Sequence, residues 1–163
     1  MNKRILVTYA TRAGSTVGVA KAIGETLSKR GFAVDVKDVK ENPSLDGYQG
    51  VIIGSAIRLG GWLAEATDFI KYNQGELTKI PVAVFNVHIL NLGDDEQSRT
   101  SRLAYLDEVR SMIKPVDEIF FAGEIDLTKL SFVDRMMVKM VKSPIGDFRD
   151  WDKIRSWANV ILS

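Results

Sequence analysis

The sequence predicts an α/β fold in which one doubly wound sheet of five parallel strands carries helices on both faces. Short apolar, β-branched runs alternate with longer amphipathic segments, and this rhythm is typical of βαβ units. A chain of 163 residues has room for one well-buried core. We therefore expect one domain over residues 1–163, with the strand order 2-1-3-4-5 that is common in such sheets.

Five apolar runs are the predicted strands. Four of them are almost uniformly apolar, which indicates strands buried on both faces. The second run alternates between apolar and polar residues, which is typical of a half-exposed or edge strand. In chain order, the runs cover 5–9, 32–36, 50–54, 81–87 and 119–123.

Amphipathic segments fill the intervals between these strands. The first predicted helix covers about 16–30 and ends at Gly31, a residue suited to a C-terminal cap. Further helices are expected at 62–72 and, in the tail, at about 132–141 and 151–162. A third helix in chain order is indicated by apolar residues at helical spacing, namely Leu103, Leu106, Val109 and Ile113.

Composition excludes several classes of function. The chain has no cysteine, which rules out disulfides, thiolate nucleophiles and cysteine-based metal sites, and His88 is its only histidine. We expect no metal site, so demanding chemistry would need an organic cofactor. A formal net charge of +1 gives no overall field to attract nucleic acid. With neither a signal-peptide pattern nor a membrane-spanning run, we expect a cytoplasmic protein.

The loop after the first strand is the first candidate binding site. Ligands of doubly wound sheets bind beyond the carboxyl ends of the strands, and a helix start offers unpaired N–H groups to a phosphate. Gly14 lets the backbone approach a ligand closely, and Thr11, Ser15 and Thr16 add hydroxyl groups around it. The loop therefore predicts a phosphate site. The alternative is that Ser15 or Thr16 only caps the helix.

The loop resembles the flavodoxin phosphate signature [ST]-x-T-G-x-T, with Thr11, Gly14 and Thr16 in matching positions. Ala13 departs from the signature because the family usually has Thr there. Arg12 departs as well, because flavodoxins often bind the phosphate without a cationic side chain. The resemblance implies FMN as the cofactor, with its phosphate held by Thr11, Arg12, Ala13, Gly14, Ser15 and Thr16.

Further segments extend the resemblance over nearly the whole chain. Together with residues 54–60, 134–139 and 150–151, the first loop resembles the menaquinone-dependent protoporphyrinogen IX dehydrogenase branch of the flavodoxin-like proteins. The resemblance implies that loops after the third and fourth strands flank the flavin ring. The implied ring-side residues are Ser55, Ala56, Ile57, Arg58, Leu59, Gly60, Asn86, Val87, His88 and Leu90.

Aromatic residues are sparse in these two loops. Arg58 stands where flavodoxins commonly stack Trp, and the loop after the fourth strand has neither Tyr nor Trp, which would leave room for a substrate. Trp62 either packs at a helix start or contacts the flavin. His88 is a candidate for a catalytic role on the flavin or substrate side, and the alternative is an ordinary loop residue.

The tail segment 132–142 carries an apolar stripe at helical spacing. Its opposite face bears Asp134, Arg135, Lys139 and Lys142. Such a stripe most often packs on the sheet, where Met fills gaps well. The alternative is a surface for a membrane interface, a quinone or a partner protein. The stripe consists of Phe132, Val133, Met136, Met137, Met140 and Val141.

These observations predict an FMN-dependent oxidoreductase that passes reducing equivalents from an organic donor to a quinone or a protein redox partner. A porphyrinogen is the substrate that the resemblance implies. The alternative is a flavodoxin-type electron carrier without a substrate pocket, although such carriers are commonly strongly acidic and this chain is not. A response-regulator-like domain would need an acidic cluster after the first strand, and residues 8–11 supply none.

Overall fold

The computed structural model describes residues 3–12, 14–140 and 145–162. Its strands are β1 (Arg4–Ala10), β2 (Ala33–Asp38), β3 (Gly50–Arg58), β4 (Gly61–Trp62), β5 (Val82–His88), β6 (Asp117–Ala122), β7 (Glu124–Ile125) and β8 (Gly146–Asp147). Its α-helices are α1 (Ser15–Lys29), α2 (Ala64–Tyr72), α3 (Gln74–Leu77), α4 (Glu96–Ala104), α5 (Asp107–Met112), α6 (Phe132–Met140) and α7 (Trp151–Val160). Short 3₁₀ turns cover Val39–Glu41 and Leu127–Lys129.

The long strands form one parallel sheet in the order β2-β1-β3-β5-β6. Because the short β4 pairs only with the end of β3, this is the predicted order 2-1-3-4-5, and the predicted fold class is confirmed. The order reverses beside β1, so the loops that follow β1 and β3 lie next to each other at the carboxyl edge of the sheet.

Helices cover both faces of the sheet. Helices α1 and α7 lie on one face, where Val19, Ile23 and Trp157 pack against Phe85 and other sheet residues. Helices α2 and α5 lie on the other face, and their apolar side chains pack against the alternate residues of β1, β3 and β5. Strands β1, β3 and β5 are buried on both faces, as their apolar runs predicted. The prediction is wrong for β6, which lies at the edge of the sheet and buries only Phe121.

Strand β3 is longer than expected and corrects the prediction of a glycine-rich loop there. It continues to Arg58 and turns back through Leu59 and Gly60 into β4, with Arg58 paired to Gly61. Leu59 and Gly60 both have positive φ, 55° and 78°, which is the backbone of a tight two-residue hairpin. The predicted helix 62–72 accordingly begins at Ala64.

The third predicted helix is two helices, α4 and α5. Leu106, Val109 and Ile113 are buried as expected, but Leu103 is 49% exposed because α4 packs none of its side chains into the core. The periodicity that joined these residues therefore crosses a turn at Tyr105 and Leu106.

Between β6 and α7 the chain leaves the sheet. Strands β7 and β8 pair as an antiparallel ribbon, and α6 lies between them in sequence. The prediction that the 132–142 stripe packs on the sheet is wrong, because α6 buries none of its residues. Residues 141 and 142 of that stripe lie outside the described residues. Within the described ranges, no helix is both long and apolar enough to cross a bilayer.

Candidate functional site

A cavity of about 230 Å³ lies where β1, β3 and β5 end. We call the residues at the ends of β3 and β5, with the Leu59–Gly60 turn, the wall of this cavity. We call α6 and the segment 123–130 its cover. Most of the predicted ring-side and phosphate-side residues line the cavity, namely Thr11, Arg12, Ser15, Ala56, Ile57, Arg58, Leu59, Gly60, Val87, His88 and Leu90.

Two predicted ring-side residues, Ser55 and Asn86, are fully buried behind the wall. The Ser55 hydroxyl accepts a hydrogen bond from the Leu63 backbone N–H at 3.0 Å and donates to the Ala56 carbonyl at 2.7 Å. Asn86 accepts from the Trp62 indole N–H at 2.7 Å and donates to the Ile119 carbonyl at 2.9 Å. These bonds fix the hairpin and the neighbouring strands, so both side chains position the wall.

Trp62 is buried, and it does not line the cavity. Its indole is held by Asn86 on β5, while its backbone pairs with Ile57 on β3. Of the two interpretations of Trp62, the structure favours packing. The packing occurs in a hairpin strand and not at a helix start.

The start of α1 has no capping side chain. Gly14 occupies the N-cap with φ of 88°, and no side chain accepts a hydrogen bond from the first turn. The Thr11 hydroxyl instead accepts from the Gly14 backbone N–H at 3.0 Å, which holds the loop in shape. Neither Ser15 nor Thr16 acts as the cap that was the alternative to a phosphate site. Ala13 lies outside the described residues.

The hydroxyl of Thr16 is an unsatisfied buried group. Thr16 is fully buried in the first turn of α1, and its Oγ1 has no hydrogen-bond partner among the described residues. Leaving a buried hydroxyl unpaired costs about 1–3 kcal/mol. A phosphate bound at the helix start could supply the missing partner, so this loop fits the cofactor that the sequence implied.

The Arg12 guanidinium is directed to a carboxylate. It pairs with Glu65 in the first turn of α2, with one bond from Nη2 to Oε2 at 3.3 Å and a shorter one from Nη1 to Oε1. Partial burial raises the pKa of Glu65, but the hydrogen bond and charge of Arg12 outweigh it, so this pKa lies below its ordinary value. The pair ties the first loop to α2 and neutralises the cation at the cavity.

His88 ends β5 and is 5% exposed at the cavity. Its Nδ1 lies 2.7 Å from the Leu90 carbonyl, which can only accept, so Nδ1 carries the proton. Burial lowers the pKa of His88, aided by Arg102 and Lys153, while the hydrogen bond to Leu90 raises it. The neutral ring therefore has an unprotonated Nε2, which has no partner among the described residues.

Aromatic neighbours fix the orientation of the His88 ring. The rings of Tyr105 and Phe120 meet it edge-on, with centroids at 5.5 and 6.0 Å. The Tyr105 hydroxyl accepts a hydrogen bond from the Asn91 side-chain amide at 2.8 Å. The imidazole is thus held by packing on two sides and by the Leu90 carbonyl on a third.

Helix α6 lies across the cavity from the wall. Its inner face carries Asp134, Met137 and Val138, at the i, i+3, i+4 spacing of one helical face. Asp134 accepts a hydrogen bond from Arg58 Nη2 at 2.6 Å, which is the ion pair that joins the cover to the wall. Arg149 supports the cover from behind, with bonds to Glu124 on β7 and Asp147 on β8.

The cover contains most of the cavity residues that sequence reasoning missed. For α6 the sequence did contain a signal. Val138 widens the apolar arc of this helix beyond one face, and a helix with so wide an arc can contact two different surfaces. For the other missed residues, on the segments after β4, β5 and β6, no sequence signal was available. The missed residues are Leu63, Ile89, Tyr105, Gly123, Glu124, Ile125, Leu130, Asp134, Met137 and Val138.

Comparison with known proteins agrees with this geometry. The profile of the flavodoxin domain family matches residues 6–152. The chain therefore belongs to the flavodoxin domain family. The resemblance found in the sequence is confirmed, and because flavodoxin domains bind FMN, so is the predicted cofactor.

Curated relatives carry the name of an enzyme. Protoporphyrinogen IX dehydrogenase (quinone) of Escherichia coli K12 is 24% identical over 170 residues, covering 97% of this chain and 94% of that protein. The protein of the same name from Leishmania major is 25% identical over 171 residues, covering 96% and 73% respectively. Together with the family, these relatives support an FMN oxidoreductase or electron-transfer role.

Solved structures show the same fold. Fusobacterium nucleatum flavodoxin bound to FMN matches with a TM-score of 0.58 at 18% identity, covering 98% of this chain and 96% of that chain. Oxidised flavodoxin 1 from Bacillus cereus matches with a TM-score of 0.57 at 14% identity, covering 96% and 95%.

Proposed function

We propose that this protein is an FMN-dependent oxidoreductase that oxidises an organic donor of the porphyrinogen class and reduces a quinone. The observation that carries the proposal is the cavity at the carboxyl edge of the sheet, with an uncapped helix start at one end and an apolar cover over the other. The relatives named protoporphyrinogen IX dehydrogenase (quinone) supply the substrate class and the acceptor.

The two ends of the cavity suit the two ends of FMN. Thr11, Ser15 and Thr16, with the N–H groups at the start of α1, would hold the phosphate. The wall residues from Ala56 to Gly60 and from Val87 to Leu90 would lie along the ring. When bound, FMN supplies a carrier that can take an electron pair from one partner and give it to another.

The reaction balances without a metal or a further co-reactant. In each cycle the donor loses two electrons and two protons, and one quinone gains both to become a quinol. Met137 and Val138 on the inner face of α6 would limit the entry of water into the cavity, which would protect reduced species from side reactions. The unprotonated Nε2 of His88 would accept a proton or a hydrogen bond on the flavin or substrate side.

A flavodoxin-type electron carrier is the alternative function, and the presence of the cover argues against it. A carrier exchanges electrons by contact with a protein partner and needs no substrate cavity. Here α6 overlies the cavity, and a net charge of +1 gives little to steer a basic partner.

The experiment begins with the purified protein, whose visible spectrum should show a flavin that mass spectrometry identifies as FMN. Protoporphyrinogen and a soluble quinone are then mixed with it anaerobically, and porphyrin formation is followed by fluorescence. Turnover supports the enzyme. Bound FMN without turnover would support the alternative function as an electron carrier. A protein that takes up no FMN would overturn both functions.

A matched pair of variants tests the phosphate site separately. Thr16→Val removes a buried hydroxyl without a partner, so the FMN-free protein should gain about 1 kcal/mol of stability while FMN affinity falls about tenfold. Thr8→Val is the control, because the Thr8 hydroxyl is equally buried and unpaired among the described residues but lies inside β1 and not at the start of α1. It should raise stability and leave FMN affinity unchanged. Equal FMN affinities in both variants would contradict the role of Thr16.

A further inference from the structure

The outer face of α6 is the most apolar exposed helix surface among the described residues. Phe132, Val133 and Met140 are 71%, 61% and 78% exposed, and Met136 is 47% exposed. Exposed apolar side chains scattered singly are ordinary, but four on one nine-residue helix form a patch of the kind that marks an interaction surface.

The charges on α6 are sorted between its two faces. Asp134, its one acidic residue, faces the cavity and is paired with Arg58. Arg135 and Lys139 are exposed on the outer side, together with the apolar patch. The outer face therefore combines apolar side chains with positive charge alone, which is the composition of a helix that lies in the interface of an anionic membrane.

Two exposed leucines lie at the cavity itself. Leu59, at the tip of the β3–β4 hairpin, is 82% exposed, and Leu90 is 42% exposed. Both also line the cavity that α6 covers. Apolar side chains are therefore exposed both on the outer face of α6 and at the cavity beneath it.

Size favours a lipid surface over a protein partner. A nine-residue helix is about 14 Å long and about 10 Å wide, so its outer face offers a few hundred Å² at most. A stable protein interface buries about 800 Å² on each partner and is depleted in Lys. An amphipathic helix on a bilayer has no such threshold, because apolar burial and charge attraction act together.

We propose that the outer face of α6 docks the protein on an anionic lipid bilayer, which places the cavity directly beneath the docked helix. Docking needs neither bound flavin nor turnover, so this inference goes beyond the proposed oxidoreductase. A consequence for that function is that the cavity would lie close to an apolar acceptor dissolved in the bilayer.

The test is flotation of the full-length protein with vesicles of phosphatidylcholine alone and with equimolar phosphatidylcholine and phosphatidylglycerol. At low salt the protein should float with the anionic vesicles, and flotation should decrease as salt is added. Arg135→Gln combined with Lys139→Gln should weaken binding about 25-fold, since each cation near an anionic surface contributes about fivefold. Phe132→Ser combined with Met140→Ser should weaken it at least tenfold.

Matched controls lie at the far end of α2, where Tyr72 is 83% exposed and Lys71 is exposed beside it. Tyr72→Ser and Lys71→Gln should leave flotation unchanged. No flotation of the wild type at low salt would overturn the proposal, as would flotation insensitive to salt. A concentration-dependent dimer that the Phe132 and Met140 substitutions abolish would overturn it in favour of self-association. Flavin content and turnover with a soluble quinone, measured on the same samples, report separately on the proposed function.

Discussion

The wall of the cavity and its cover face the same space, but the chain holds them by different means. Behind the wall, Ser55 and Asn86 are fully buried, and each side chain makes two hydrogen bonds, Ser55 with Ala56 and Leu63 and Asn86 with Trp62 and Ile119. The cover has no buried residue on α6, and the Arg58–Asp134 ion pair joins it to the wall. Local opening costs least where few apolar contacts are buried, so the cover should open far more readily than the wall.

This difference suits a site that must bind a cofactor firmly and admit a second molecule. A wall built on parallel strands keeps ring-side groups in fixed positions, because its backbone is tied into the sheet. Helix α6 buries none of its residues and is held by a partly exposed charge pair, so it can move without unfolding the domain. Variants in each region should therefore differ in kind: wall variants should change stability, and cover variants should change ligand exchange.

The largest loss of stability is expected from a substitution in β3, at Gly54. A Cβ at this position would lie 2.0 Å from the ring of Phe85, its partner across the β3–β5 pair. Gly54→Ala should therefore lower the free energy of unfolding by about 3 kcal/mol, as overpacking in a dense core does. Thermal or urea unfolding measures this change in the free energy of unfolding.

The control for this variant is Gly75→Ala. Gly75 lies in α3 with no heavy atom within 4 Å of its added Cβ, so this change should be neutral or stabilising. A Gly54→Ala protein as stable as wild type would mean that the sheet beneath the wall is not tightly packed.

The wall could be predicted from sequence and the cover could not, for physical reasons. Strand ends converge at one edge of a parallel sheet, so finding β1, β3 and β5 was enough to place Thr11, Arg58 and His88 at one site. No such rule predicts the position of α6, because amphipathicity shows that a helix has an apolar face but not what that face contacts. The β3–β4 hairpin was missed because its turn residues, Leu59 and Gly60, are not a usual hairpin pair.

The second prediction concerns the pH dependence of the wall through His88. Burial lowers its pKa in the folded protein, while the unfolded chain keeps the ordinary value of 6.5. The folded state thus binds this proton less readily. The stabilisation gained by keeping His88 neutral in the folded state is therefore fully present above pH 6.5. As the pH falls below 6.5, the free energy of unfolding decreases by at most about 1.4 kcal/mol per pH unit.

His88→Gln isolates this contribution, because glutamine does not titrate and His88 is the only histidine. Stability curves of the two proteins from pH 7.5 downward, measured with urea at about one-unit steps, should converge as the imidazole becomes protonated. Parallel curves through this range would show that the folded protein does not depress the pKa of His88.

The third prediction tests the cover. Asp134→Asn removes the carboxylate that pairs with Arg58, a pair whose side chains are 36% and 20% exposed. Because exposed pairs contribute about 1 kcal/mol or less, FMN affinity should fall by up to about fivefold, through faster release. The free energy of unfolding should change little. Flavin fluorescence on titration and on dilution measures the affinity and the release rate.

Glu118→Gln is the matched control for the cover. It breaks a comparable pair, Arg110–Glu118, whose Nε and Oε2 atoms are 2.8 Å apart and whose residues do not line the cavity. FMN release should be unaffected. Slower release from Asp134→Asn than from wild type would show that the ion pair holds the cavity open, which would reverse the role assigned to the cover.

The smallest effect on stability is expected at the tip of the hairpin, in the Leu59–Gly60 turn of the wall. Leu59 adopts φ of 55°, a left-handed conformation that costs an L-residue about 1 kcal/mol and that Asn tolerates better. Leu59→Asn should therefore raise the free energy of unfolding by about 0.5 kcal/mol. Gly60→Ala should lower it by about 1 kcal/mol, because Gly60 has φ of 78° and no atom within 4 Å of the added Cβ, which leaves backbone strain as the only cost. Urea unfolding of both variants measures these opposite signs. If Leu59→Asn were destabilising instead, the exposed leucine would be held by contacts that outweigh its backbone strain, and the turn would be as rigid as the rest of the wall.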